Sequence, residues 1–238
     1  AVIAEATVKV VPRPETSATL VVAGLDDASA VAVLADGLNS PHEVSAAAHV
    51  PQTLARHCDI KAIASTGTAM TALRIEGPET SVRFRLGALR DLLAPRGDVI
   101  GLGEEPSRAL WRRIGDVAPL LPVAGRIVWR LSLPPAAGPA VLAAISERVE
   151  ADGFYDWGGG LVWVSVPDAG AEEAERIVRA AVATAAGYAM LVRAPQTWRA
   201  RLNVFEPLPA PLAALTRRVK ESFDPQHLLN PGRMYRDL

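Results

Sequence analysis

The sequence of 238 residues contains a single cysteine, Cys58, so no disulfide bond can form within the chain. It has no apolar run of about 18 residues, the length that a membrane-spanning helix requires. Its 25 basic residues are balanced by 26 acidic ones, and no dense basic patch favours nucleic acid. These absences predict a protein of a reducing compartment, the cytoplasm, with no transmembrane segment and no nucleic-acid partner.

The usual short motifs of metal, nucleotide and hydrolase sites are also missing. The four histidines are not arranged at metal-ligand spacing, so we predict no metal site. The three glycines at 158–160 lie between two predicted strands rather than before a helix, which favours a hairpin over a phosphate loop. No serine stands in a G-x-S-x-G context. Catalytic residues therefore remain unassigned from motifs.

The hydrophobic periodicities predict an α+β fold. Residues of about 18–120 and about 121–207 can each be written as strand, helix, two strands, helix and strand. This βαββαβ order is typical of ferredoxin-like domains. We expect the two units to share one antiparallel sheet with helices packed on one face. Residues 1–17 are predicted to be a linker, and residues 208–238 a C-terminal helix followed by a tail.

The C-terminal tail is unusually well specified by its sequence. Pro225 and Pro231 each fix φ, and Gly232 permits a positive φ. Most chain termini are poorly ordered unless they are held in place. We therefore predict a rigid hook that docks onto another surface.

The tail pattern FDPxxxxNPGR resembles the C-terminus of FAD-linked oxidases with the vanillyl-alcohol-oxidase type of flavin fold. Within that family, the patterns at 40–51, 71–86 and 188–195 resemble the FAD-binding (E) subunits of bacterial glycolate oxidases. In this family an N-terminal domain carries most flavin contacts, and nothing here matches its glycine-rich loops. The resemblance implies the cap portion, built on a large antiparallel sheet, with residues 1–17 leading from a FAD-binding domain.

The resemblance also implies FAD-dependent oxidation of a 2-hydroxy acid, glycolate to glyoxylate, with FAD bound by the full-length protein and not by this portion. It places Asn230, Gly232 and Arg233 next to the FAD domain near the flavin. Arg193 and Arg199 are candidates for binding the substrate carboxylate, because arginine binds carboxylates through a bidentate fork. The alternative is that Asn230 and Arg233 only hold the hook, and that Arg193 and Arg199 are surface or ion-pairing residues.

The partners implied by the resemblance are a second flavoprotein subunit and an iron–sulfur subunit, through which the protein would associate with a membrane. Two other functions remain open. The chain could be a non-catalytic assembly or electron-relay subunit of the same complex. It could also be a free-standing ferredoxin-like sensor of small molecules, a hypothesis that rests on fold alone.

Overall fold

The computed structural model describes residues 3–10, 12–120 and 123–235. The ends of the predicted linker and tail, residues 1–2 and 236–238, lie outside this description, as does residue 11. The elements of the first half are β1 (Thr16–Ala23), α1 (Asp27–Leu38), β2 (Ala46–Val50), α2 (Gln52–Ala55), α3 (Lys61–Ala64), β3 (Met70–Gly77), α4 (Glu79–Leu93), β4 (Val99–Leu102) and α5 (Glu104–Gly115). Those of the second half are β5 (Arg126–Ser132), α6 (Gly138–Ser146), β6 (Asp152–Asp156), β7 (Leu161–Pro167), α7 (Ala171–Ala183), β8 (Tyr188–Arg193), α8 (Gln196–Arg199) and α9 (Ala210–Phe223).

The eight strands form one sheet in the order β4-β1-β3-β2-β6-β7-β5-β8, and each paired neighbour is antiparallel. Each half has the strand order of a ferredoxin-like unit, with its second strand at the middle of the sheet. The halves meet where β2 pairs with β6, at the single position of His49 and Tyr155. The predicted fold class is therefore confirmed, including the duplicated units.

Local sequence explains where α1 begins. The Asp26 carboxylate accepts a hydrogen bond from the Ser29 amide at 2.8 Å, which satisfies one of the free N–H groups of the first turn. This bond is the largest of the effects that lower the pKa of Asp26, followed by the bond from the Ser29 hydroxyl. Asp26 is thus the N-cap of α1, which ends at Leu38.

Helices lie on both faces of the sheet. Leu20 and Val22 of β1 pack with α1 and α4, whereas Val21 between them packs with Leu110 and Ile114 of α5. In the second half, α6 and α7 cover the same face as α1, over a core that contains the fully buried Trp129. The prediction that helices pack on one face only is therefore corrected. Helix α5 and the short helices α2 and α3 cover the other face of the first half.

One part of the second face stays uncovered. On β5, Ile127, Trp129 and Leu131 are fully buried under α6 and α7, whereas Arg130 and Ser132 point the other way and remain partly exposed. We call this surface the open face; its members are Arg130, Ser132, Asp156, Trp163 and Met190. Polar and aromatic side chains on an uncovered sheet face are available to contact a ligand or a second domain.

Among the described residues, none of the helices combines the length and the apolar composition needed to cross a bilayer.

Candidate functional site

The C-terminal hook is held by Asp224, which is buried at the end of α9. One carboxylate oxygen accepts a hydrogen bond from the Leu228 amide at 3.0 Å, and the other accepts one from the Leu229 amide at 2.9 Å. Lys220 donates to Asp224 and to the Leu229 carbonyl, both at 2.5 Å. The predicted shaped tail is therefore present, and its shape depends on a lysine and an aspartate that face each other.

The backbone of the hook also has the conformation that its sequence predicts. Gly232 has a φ of +67°, and Asn230 has a φ of +51°, a conformation that asparagine tolerates better than most residues. Asn230, Gly232 and Arg233 are all exposed to solvent. The predicted cofactor-binding residues are thus presented outward rather than folded into the interior of this chain.

Substituting Asp224 with alanine is expected to release the hook without unfolding the sheet. The hydrogen bond from Lys220, followed by those from the Leu229 and Leu228 amides, lowers the pKa of Asp224 to about 2, so the carboxylate is charged at neutral pH. Loss of this acceptor should speed hydrogen exchange of the Leu228 and Leu229 amides by about tenfold or more, because each loses a charge-assisted bond. Exchange mass spectrometry measures this, and Ser222→Ala in the same turn is the control.

The same bonds give a pH dependence with a defined sign. Because the folded pKa of Asp224 lies below its ordinary value of 3.8, the carboxylate stabilises the hook above about pH 4 and loses this effect as the pH falls towards 2. Protection of the Leu228 and Leu229 amides should fall over that range in the unmodified protein. Equal protection in Asp224→Ala and in the unmodified chain at pH 7 would contradict the assignment.

A cavity of about 300 Å³ lies between the tail and residues 202–208. Its lining includes three of the predicted site residues, Arg199, Gly232 and Arg233. The rings of Phe205 and Tyr235, which also line it, lie 6.1 Å apart between centroids. The tail thus folds back against this segment, and we call the space between them the tail cavity.

The other two predicted residues lie apart from the tail cavity. Arg193 is exposed at the end of β8, and Asn230 is outside the cavity lining. The tail cavity thus combines a predicted substrate residue, Arg199, with a predicted cofactor residue, Arg233. Their roles remain predictions.

Helix α9 exposes an apolar stripe. Leu212, Leu215, Val219 and Phe223 recur at helical spacing and are between 46% and 71% exposed, and none of the residues of α9 is buried. Leu228 in the hook extends the stripe and is 71% exposed. An amphipathic helix whose apolar side has no cover favours docking against another surface, as the tail sequence predicts.

A buried polar network fastens the two halves of the sheet together. His49 of β2 is fully buried, and its Nε2 donates to the Asp27 carboxylate at 3.2 Å. The Tyr155 hydroxyl of β6 donates to the other oxygen of Asp27 at 2.6 Å. His49 Nδ1 is bonded to the Thr71 hydroxyl at 2.9 Å. Because Asp27 begins α1, this network joins one helix to both central strands.

The ionisation of this network follows from its contacts. Burial raises the pKa of Asp27, but the hydrogen bonds from His49 and Tyr155 outweigh it, so the net effect is a lowered pKa. Burial, and then the bond to Asp27, raise the pKa of Tyr155. The network is fully bonded, and we assign it a structural role at the seam of the sheet.

The open face carries charged and aromatic groups that the sequence patterns did not single out. The Arg130 guanidinium carbon lies 5.1 Å from the ring centroid of Trp157, which follows β6. Asp156 accepts the Trp157 amide at 2.8 Å. Burial raises the pKa of Asp156 above its ordinary value, against the opposing effects of that hydrogen bond and of the charges of Arg130 and Arg74. The alternation of residues in β5 predicts that Arg130 and Trp129 point to opposite faces of the sheet. It does not predict that Arg130 lies near a residue that follows β6.

In the described ranges, no group of three or more histidine, cysteine, aspartate or glutamate side chains converges as metal ligands would.

Solved structures share the fold of this chain. The chain superposes on 4-ethylphenol oxidase from Gulosibacter chungangensis with a TM-score of 0.65, at 13% identity, covering 95% of this chain and 55% of that one. It superposes on p-cresol methylhydroxylase with a TM-score of 0.59, at 14% identity, covering 95% and 54%. The fold is therefore that of the cap domain of FAD-linked oxidases.

A sequence relative is more specific. The chain is 32% identical over 167 residues to glycolate oxidase subunit GlcE of Escherichia coli strain K12, which covers 70% of this chain and 39% of that protein. The predicted resemblance to a C-terminal portion of the glycolate oxidase E subunit is thus confirmed. The chain spans about two fifths of the length of this relative and about half of the solved structures. No protein-family profile matches it.

Proposed function

We propose that this chain is the cap portion of a FAD-dependent 2-hydroxy-acid oxidoreductase, a glycolate oxidase subunit that takes part in oxidising glycolate to glyoxylate. The observation that carries this proposal is the 32% identity to GlcE, on a chain whose fold is the FAD-linked oxidase cap. We place the protein in the cytoplasm. Contact with a membrane would come through partner subunits, which we propose to be a second flavoprotein and an iron–sulfur protein.

FAD in the complete protein would accept the hydride of the substrate. In this chain, the residues that fit a contact to part of FAD are those of the tail cavity and hook, because Gly232 lets a backbone approach closely and Arg233 offers a fork of donors to a phosphate or a flavin edge. A cavity of about 300 Å³ is too small for the whole dinucleotide. FAD added to the purified chain should therefore leave flavin fluorescence unchanged, and tight stoichiometric binding would refute the proposal that another domain carries FAD.

The exposed residues of the tail support the proposal that another domain carries FAD. The stripe of α9, Asn230 and Arg233 are all exposed to solvent and lie within residues 212–233 of the chain. We propose that this end packs on the FAD domain, with Arg233 and Asn230 facing the flavin. Arg199 in the tail cavity, and Arg193 at the end of β8, would then be available to the substrate carboxylate.

The function can be tested with a chimera in which this chain replaces the matching region of the Escherichia coli subunit. In cells that lack their own GlcE, we expect the chimera to restore glycolate-dependent reduction of an artificial electron-accepting dye. The double variant Asn230→Ala/Arg233→Ala should lower flavin content and turnover by about tenfold or more, as expected for lost charge-assisted contacts. Exposed Arg83, which pairs with Glu79 on α4, supplies a control variant with unchanged activity, Arg83→Ala.

The alternative function is a non-catalytic assembly or electron-relay subunit, which the exposed apolar stripe of α9 also favours. The same chimera separates the two. If the double variant keeps its flavin content and turnover, while replacing Leu215 and Val219 with serine disrupts the complex, the assembly function is favoured. A chimera that assembles with its partner subunits but never oxidises glycolate would overturn the catalytic proposal.

A further inference from the structure

Arg130 on the open face differs from the other arginines of similar burial. Seven arginines of the described ranges are partly buried, and six of them form an ion pair with a carboxylate: Arg74, Arg85, Arg108, Arg113, Arg126 and Arg179. Arg130 has neither an ion pair nor a hydrogen bond with any residue that the structure describes. A guanidinium carries five N–H donors, and leaving them unmet in a partly buried position is costly. Among the residues that the structure describes, none supplies an acceptor to this guanidinium.

The surroundings of Arg130 hold it ready for a ligand. Trp157 lies over it, 5.1 Å from the ring centroid to the guanidinium carbon, and this side chain is 64% exposed. The Trp157 backbone has a φ of +50°, which is strained for an aromatic residue. Strain of this kind persists where the surrounding structure imposes it, and it concentrates at functional sites. Here it carries the indole ring to Arg130.

Asp156 provides a second polar group on the same face. One of its oxygens accepts the Trp157 amide, and no cation of the described residues lies in ion-pair contact with it. Strand β7 separates β6 from β5, so the two strands lie about 10 Å apart, and Asp156 is level with Ser132, two residues along β5 from Arg130. The Arg130 guanidinium lies against the ring of Trp157, the residue that follows Asp156, so both polar groups lie near Trp157 on the open face.

We propose that the open face binds a small 2-hydroxy carboxylate, with the ligand carboxylate on Arg130 and its hydroxyl on Asp156. This inference rests on the proposed function, and it places the substrate carboxylate on Arg130 instead of on Arg193 or Arg199. A carboxylate is the planar acceptor that matches the guanidinium fork. The free oxygen of Asp156 suits a hydroxyl rather than a second carboxylate, which it would repel. Arg130 thus selects a negatively charged carboxylate, and Asp156 selects a neutral hydroxyl. Together they favour an acid that also carries an alcohol group.

The binding can be measured on the complete chain by following the side-chain N–H resonances of Arg130 and Trp157 during a titration with glycolate. We expect both resonances to shift saturably. Glycolamide, which keeps the hydroxyl but has no charge, and acetate, which lacks the hydroxyl, should bind about tenfold or more weakly. The variants Arg130→Gln and Arg130→Lys should each weaken glycolate binding by at least tenfold, and Arg83→Gln should not change it.

Asp156→Asn tests the second half of the proposal, because asparagine can still accept the Trp157 amide and so retain the turn. This variant should bind acetate as well as the unmodified chain does, but should lose the preference for glycolate. A backbone spectrum that superposes on that of the unmodified chain shows that each variant is folded. If Arg130→Gln unfolds, the Arg130→Lys variant carries the test.

Three outcomes would overturn the proposal: glycolate gives no saturable shift, glycolamide binds equally well, or FAD shifts these resonances while glycolate does not. The measurement needs neither FAD nor partner subunits, so it is independent of the chimera. An active chimera with no glycolate binding to Arg130 would overturn this inference alone. Glycolate binding to Arg130 with an inactive chimera would overturn the proposed function alone.

Discussion

Replacing Arg179 with alanine is expected to lower the free energy of unfolding by about 3–5 kcal/mol, the usual effect of breaking a buried charged pair. Arg179 of α7 donates to the carboxylates of Glu175 and Glu206 and to the carbonyls of Asn203 and Phe205. The Arg179 and Glu175 side chains are only 13% and 12% exposed. Removing the guanidinium would leave a buried carboxylate unpaired.

The same arginine holds the segment that forms the wall of the tail cavity. Its guanidinium carbon also lies 5.3 Å from the ring centroid of the fully buried Trp129, so one side chain connects the core to residues 203–206. We therefore expect Arg179→Ala to perturb the tail cavity as well as stability.

Chemical denaturation with urea measures this effect, and Arg176→Ala provides the matched control on the same helix. Arg176 pairs with Glu173, but its side chain is 72% exposed, so its loss should cost less than about 1 kcal/mol. If both variants lose the same stability, the network around Arg179 does not hold the segment as we infer.

Replacing Asp27 with alanine is the second large change, with an expected loss of about 2–4 kcal/mol. The variant leaves His49 Nε2 and the Tyr155 hydroxyl, both at the seam of the sheet, without their shared acceptor. Each buried polar group left unpaired costs about 1–3 kcal/mol. Tyr155→Phe, which removes only one of these bonds, should cost less. The control is Asp36→Ala on α1, whose pair with Arg96 is half exposed and worth less than about 1 kcal/mol.

The Asp27 network also predicts how stability depends on acid. The folded-state pKa of Asp27 is below its ordinary value of 3.8, because the bonds from His49 and Tyr155 outweigh the effect of burial. Its contribution is therefore fully present above about pH 4 and is lost as the pH falls further. Urea denaturation at pH 7 and at pH 3 should show a larger drop for the unmodified protein than for Asp27→Ala. An equal drop would mean that another group dominates the acid response.

Much of the local structure follows from short stretches of sequence. Gly77-Pro78 marks the boundary between strand β3 and helix α4, as a glycine–proline pair commonly does. The N-cap at Asp26 and the positive φ of Gly232 depend on neighbours a few residues away, so the sequence shows them directly. The tail pattern indicates the family because all of its residues lie in one short, uninterrupted stretch of sequence.

The site on the open face cannot be predicted from short stretches of sequence, because its residues come from separate strands. Arg130 lies in β5 and Asp156 in β6, and β7 separates them in a sheet where strand order is set by long-range pairing. No local signal in the sequence indicates that Arg130 has no carboxylate partner among the described residues while six similarly buried arginines have one. The side of the sheet that α5 covers is likewise decided by contacts between Val21, Leu110 and Ile114, residues that are far apart in the chain.

The sequence alone therefore determined which segments become helices and strands, where α1 is capped, and that the chain ends in a stiff hook, since each depends on neighbouring residues. Only the tertiary structure decided that β2 and β6 meet at the seam through His49 and Tyr155, and that one face of the second half stays open. The physical reason is that strand pairing and the covering of a sheet face minimise the free energy of the whole chain. Residues that are distant in sequence then share a site that no local pattern describes.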